Sequence, residues 1–92
     1  MRHFAFECDW KWILNESIDF LKSNKLGFWN VLGDDSEKPM VFVNVPAIAI
    51  YFSDPDGHYL EFIGKLPGNY RPEKGSMVVS YEEWLKIEKT EK

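Results

Sequence analysis

A single cysteine, Cys8, occurs in the chain, so no internal disulfide can form. A lone cysteine of this kind reads as a small buried hydrophobe rather than a nucleophile. The simplest setting for it is the cytoplasm. Long apolar runs are also missing, and none approaches the ~20 residues that a membrane span needs. The opening Met-Arg-His-Phe-Ala-Phe-Glu-Cys-Asp is broken by charges too early for a signal peptide. There is no surplus of basic residues: 11 Lys and Arg face 15 Asp and Glu, for a net charge of −4. Without a basic patch or stripe, nucleic acid is not an expected partner. No internal repeat and no low-complexity tract appears.

What is present is the composition of a folded chain, 45% hydrophobic and 16% aromatic. That aromatic content implies a packed core, a lined pocket or a partner surface. Ninety-two residues allow one small domain, and a domain of this size is only marginally stable alone.

Residues 3–8 alternate as a half-buried strand does. Asp9 can cap a helix that runs from about Trp10 to Ser23, where Trp10, Ile13, Leu14, Ser17, Ile18 and Leu21 recur at helical spacing. Asn24 and Gly27 bracket its end. Residues 28–32 form a short strand, and Gly33 to Pro39 a loop. Met40 to Pro46 has strand-forming residues but is closed by a proline. Ala47 to Ser53, the turn Asp54-Pro55-Asp56-Gly57 and His58 to Ile63 make a hairpin. Leu66 to Ser76, with its prolines and glycines, should be a surface connection. Ser80 to Glu83 fits a capping box for a short helix ending near Glu88.

Strand parity then separates two faces. Phe4, Phe6 and Cys8, with Ile48, Ile50, Phe52, Leu60 and Phe62, form a large apolar face for the helix. His3, Ala5 and Glu7, with Ala47, Ala49, Tyr51, Ser53, Tyr59, Glu61 and Ile63, form a smaller, polar and aromatic one. The small residues on this second face leave room for a ligand or another chain.

The tract Ala49-Ile50-Tyr51-Phe52-Ser53-Asp54-Pro55-Asp56-Gly57-His58-Tyr59-Leu60-Glu61-Phe62 resembles the closing signature of a vicinal oxygen chelate module. The opening His3-Phe4-Ala5-Phe6-Glu7-Cys8 resembles the strand that begins the same module. The superfamily includes glyoxalases, fosfomycin- and bleomycin-resistance proteins, extradiol dioxygenases and epimerases. The resemblance implies an α+β fold: one βαβββ module over residues 1–65, similar to the C-terminal half of a family domain, then an extension over 66–92 with a short helix.

The resemblance further implies that His3 and Glu61 hold a divalent metal (nickel, zinc, manganese or iron). It implies that Glu61 exchanges protons with substrate, because a displaced carboxylate can act as a general base. Family domains carry two modules. The remaining ligands are therefore expected from a second copy in a homodimer, from another polypeptide or from an N-terminal half. On the residues alone, His3 reads as a surface histidine and Glu61 as a solvated strand glutamate. Glu7, Tyr51 and Tyr59 are pocket candidates, although Glu7 also suits a salt bridge and the tyrosines suit packing against a partner. His58 falls on the other parity and reads as structural or exposed.

Two functions follow as expectations. One is a glyoxalase-like metal-dependent lyase, isomerase or resistance protein acting on a small oxygenated molecule. The other is a metal-free drug- or metabolite-binding protein of the bleomycin-resistance type, or an inactive half-domain.

Overall fold

The computed structural model describes residues 3–33 and 36–90, with His3 described through its backbone alone. Asp34 and Asp35, inside the expected loop, lie outside the described residues. The fold is α+β, with helices on one side of a mixed sheet and a short helix at the C-terminal end.

Strand β1 (His3–Glu7) ends at Asp9, whose carboxylate accepts from the Lys11 N–H at 3.0 Å and so caps the helix that follows. The expected single helix is broken into α1 (Trp10–Asn15) and α2 (Ser17–Ser23), with Glu16 at φ −130° between them. The reason is local. The buried Ser17 hydroxyl donates to the Ile13 carbonyl at 2.5 Å and takes the acceptor that the Ser17 N–H would use in a continuous helix. At the far end the left-handed residue is Lys25, at φ 56°, rather than Gly27. The Leu26 N–H returns to the Leu21 carbonyl, which closes α2 as a Schellman turn.

The remaining elements are β2 (Phe28–Trp29), β3 (Met40–Phe42), β4 (Ala47–Ser53), β5 (Tyr59–Lys65), a 3-10 turn (Pro72–Lys74), β6 (Val78–Ser80) and α3 (Tyr81–Thr90). The sheet order is β1-β5-β4-β3-β6, with β2 also on β4. β1 runs parallel to β5, and the other pairings are antiparallel. The expected hairpin is present, although β5 starts at Tyr59 and continues through Gly64 to Lys65.

The edge beyond β4 differs from the alternation reading. Trp29 sits opposite Tyr51 and Met40 opposite Ala49. β2 and β3 therefore follow one strand line beside β4, which leaves β4 at Trp29 and rejoins it two positions further on. The expected strand over 28–32 stops at Trp29 because Asn30 turns inward and is buried.

The C-terminal stretch is also more than a surface connection. Leu66 is buried in the core, Val78–Ser80 extends the sheet beside β3, and Trp84 of α3 packs into the central cluster. Ser80 caps α3 by accepting from the Glu83 N–H at 3.2 Å, as its sequence predicts. Arg71 pairs with Glu88 and donates its backbone N–H to the Asn44 carbonyl, which ties the middle of the connection down.

The core lies between α1, α2 and the sheet, around Ile13, Leu21, Val41, Ile48 and Ile50. Phe62 lies within 4.5 Å of Phe52 and 5.1 Å of Trp12, centroid to centroid. The helices cover β4 and β5 but stop short of β1. Phe4 and Phe6, expected beneath the helix, remain 45% and 48% exposed. Cys8 is half-buried rather than buried; its thiol donates to the Phe6 carbonyl, and burial pushes its pKa up.

Candidate functional site

Register turns the second sheet face into rows. Cross-strand partners share a face, so Trp29, Tyr51, Glu61 and Ala5 stand in one row across β2, β4, β5 and β1. Ser53, Tyr59 and the backbone position of His3 make the next row. Met40, Ala49, Ile63 and Glu7 make the row on the other side. His3 and Glu61 thus occupy positions one row apart on adjacent strands. The His3 side chain lies outside the described residues.

Glu61 is the unusual member of this face. It is only 6% exposed, where a strand glutamate in solvent would be open. Its row neighbour Tyr51 is half-buried, and the Tyr51 phenol is pushed above its ordinary 10.0, first by burial and then by the Glu61 charge. The phenol therefore stays protonated at neutral pH. Glu7 and Tyr59 are exposed on the same face.

Trp29 joins the two tyrosines. Its ring stacks against Tyr51 at 6.4 Å and meets Tyr59 edge-on at 5.7 Å. Together with Asn30, Val31, Leu32, Gly33 and Ser53 they line an open hollow of about 790 Å³, predominantly apolar. This volume is in the range of small-molecule sites. Sequence reasoning put Trp29 in a short strand without assigning it to the site, and did not place residues 30–33 at the site at all.

Asn30 builds that wall. Its side-chain amide donates to the Ser36 hydroxyl at 3.1 Å and to the Lys38 carbonyl at 3.2 Å, and its carbonyl accepts from the Leu32 N–H at 2.9 Å. One buried side chain thus holds both ends of the loop against β4. The only sequence signal was a polar residue between Trp29 and Val31, which alternation alone cannot tell from a solvated one.

The hairpin turn beside the hollow is held by Asp54. Its carboxylate accepts from the backbone N–H groups of Asp56 and His58 at 3.0 and 2.9 Å and contacts the His58 ring at 2.9 Å. Asp54, Asp56 and His58 bring potential donor atoms within 4.8 Å of one another, but Asp54 is already used in fixing the turn. His58 therefore has the structural role expected from its parity.

Those bonds, the His58 N–H first, hold the Asp54 carboxyl below its ordinary 3.8. The sign follows directly. The stabilisation is fully present above the ordinary aspartate value and is lost as pH falls through the lower folded value. An acid titration followed at the His58 backbone amide should report this depressed pKa, and the step should vanish in Asp54→Asn. A midpoint at the ordinary value would contradict the assignment.

No helix among the described residues is long and apolar enough to cross a membrane. No protein-family model, curated protein or solved structure matches the chain at a significant level.

Proposed function

We propose that this chain is a glyoxalase-like module of the vicinal oxygen chelate type, acting on a small oxygenated molecule as a metal-dependent lyase, isomerase or resistance protein. The observation that carries this reading is Glu61, a buried carboxylate beside an aromatic hollow and one row from His3 on the neighbouring strand. A buried carboxylate whose charge acts on a neighbouring phenol is a candidate for function. A cytoplasmic setting suits a chain with one cysteine, and a second module, most simply another copy, would complete the site.

The residues suit a divalent ion in type, and their backbone positions lie on adjacent strands. An imidazole and a carboxylate from adjacent strands are ordinary ligands for nickel, zinc, manganese or iron, and two modules would double the set. When bound, such an ion supplies Lewis acidity toward ligand oxygens. The chain's own groups supply the rest. Trp29 and Tyr59 present ring faces and edges to a flat substrate. The protonated Tyr51 hydroxyl can donate to a developing oxyanion. Glu61 can take a proton at its carboxylate from the bound molecule.

A second reading is favoured by one observation, the Trp29-Tyr51-Tyr59 wall, which needs no metal to bind a planar ligand. Native mass spectrometry during titration with nickel, zinc, manganese or iron(II) separates the two. Metal uptake that falls at least about tenfold in both Glu61→Gln and His3→Ala is the expected result. A chain that ignores every metal would end the enzyme reading and leave the aromatic binding protein. In that case Trp29→Ala, and not His3→Ala, should abolish binding of planar ligands.

A further inference from the structure

The hollow framed by Trp29, Tyr51 and Tyr59 is walled by electron-rich rings and carries no cation of its own. Among the described residues, none that lines it is Lys, Arg or His. We propose that this hollow takes a small organic cation bearing a quaternary ammonium group, held in the corner between the Trp29 and Tyr59 rings with the Glu61 carboxylate as counter-charge. This rests on the reading of the hollow as a ligand site, names the chemical class of the ligand, and needs no metal.

The first argument is the placing of the rings. Trp29 and Tyr59 stand 5.7 Å apart, centroid to centroid, at 81° to one another. Two rings at nearly a right angle bound a corner with a ring face on each wall. A cation seated there lies within reach of both faces, and indole attracts a cation more strongly than the other aromatic side chains do. Both residues are open to a ligand, Trp29 at 36% and Tyr59 at 47% exposed. Tyr51 stacks within 20° of parallel to Trp29 and backs the indole.

The second argument is charge. Glu61 is the cross-strand partner of Tyr51, and its charge reaches the phenol. Asp54 follows Ser53 where the strand leaves the hollow, and its bonds to the His58 and Asp56 N–H groups favour the ionised form. His58 is a cation only when protonated, and its ring lies against Asp54 rather than in the hollow. An anionic ligand would find no opposite charge on the lining and would sit beside Glu61. A cation meets carboxylates on the same sheet face.

Hydration narrows the class further. A quaternary nitrogen has no N–H and gives up little water when it enters an apolar hollow. A primary ammonium is strongly hydrated and brings three donors that each need an acceptor. The polar group of Asn30 is already committed to Ser36, Lys38 and Leu32.

The test is calorimetric titration of the whole chain at fixed ionic strength, with a chelator present. Three probes are used: choline, its neutral isostere 3,3-dimethyl-1-butanol, and ethanolamine. Choline is expected to bind at least about tenfold more tightly than either of the others. Tyr59→Leu keeps an apolar side chain but removes one ring face. It should cut the preference for choline over the alcohol to roughly threefold. Glu61→Gln should weaken choline several-fold and leave the alcohol unmoved. Tyr59 is exposed, so Tyr59→Leu keeps the test standing if Glu61→Gln does not fold.

Equal affinity for choline and the alcohol, tighter binding of ethanolamine, or a preference unchanged in Tyr59→Leu would each overturn the proposal. Binding of neutral planar compounds without a preference for choline would overturn it and leave the hollow a ligand site. A hollow that takes none of these compounds would end both readings of it. Selective choline binding by a chain that takes up no metal would uphold the proposal and end only the enzyme reading.

Discussion

Replacing Gly64 by alanine is expected to cost about 3 kcal/mol, a large part of the stability of a domain this small. A Cβ at this position would lie 2.6 Å from the Cys8 carbonyl oxygen and 2.9 Å from both the Trp10 N and Cα. All three are backbone atoms, so no side chain can swing away. The contact lies where the chain leaves β1 and starts α1, directly over β5. The missing side chain therefore lets the first crossover pass flat against the sheet. Relief would require α1 to lift, taking Ile13 from the core and the Asp9 cap out of position. Urea unfolding of Gly64→Ala should show a lowered midpoint with unchanged slope. An unchanged midpoint would mean that the crossover has slack that these distances deny.

Asn30→Ala should destabilise by about 2 kcal/mol and also weaken ligand binding in the hollow. The substitution leaves the Lys38 carbonyl and the Leu32 N–H without their buried partner and frees the loop at both ends. Val31, Leu32 and Gly33 then lose their fixed positions on the wall of the hollow. Asn30→Asp, which keeps the shape but replaces the two N–H donors with acceptors, should be no better. Fluorescence titration of Trp29 with planar aromatic compounds, run beside urea unfolding, reads both effects. Lost stability with unaltered binding would separate the loop from the site.

Features written in local chemistry were legible in the sequence. The turn Asp54-Pro55-Asp56-Gly57 announced its hairpin because each residue favours the conformation its own position needs. Asp9 and Ser80 announced their helices because a cap is satisfied within three residues. The two faces of the sheet followed from alternation, and that was enough to gather His3, Tyr51, Tyr59 and Glu61 on one side. Features decided by distant contacts were not legible. Nothing near Gly64 says that a backbone crosses above it. Nothing near Asn30 says that its amide reaches Ser36 and Lys38. Val78–Ser80 becomes a strand only because β3 offers an open edge. The exposure of Phe4 and Phe6 depends on how far two helices extend sideways, which their own periodicity does not encode.

The interrupted strand line of β2 and β3 has an evolutionary corollary. Because β2 and β3 are indexed on β4 independently, the wall residues between Asn30 and Lys38 can change without shifting any strand. The scaffold is answerable for the two attachment points and for Asn30, whose amide holds them together. Val31, Leu32 and Gly33 behave as an exchangeable cassette mounted on a fixed frame. Selection could retune the wall of the hollow there, trading one ligand for another, while the sheet and its buried carboxylate stay as they are.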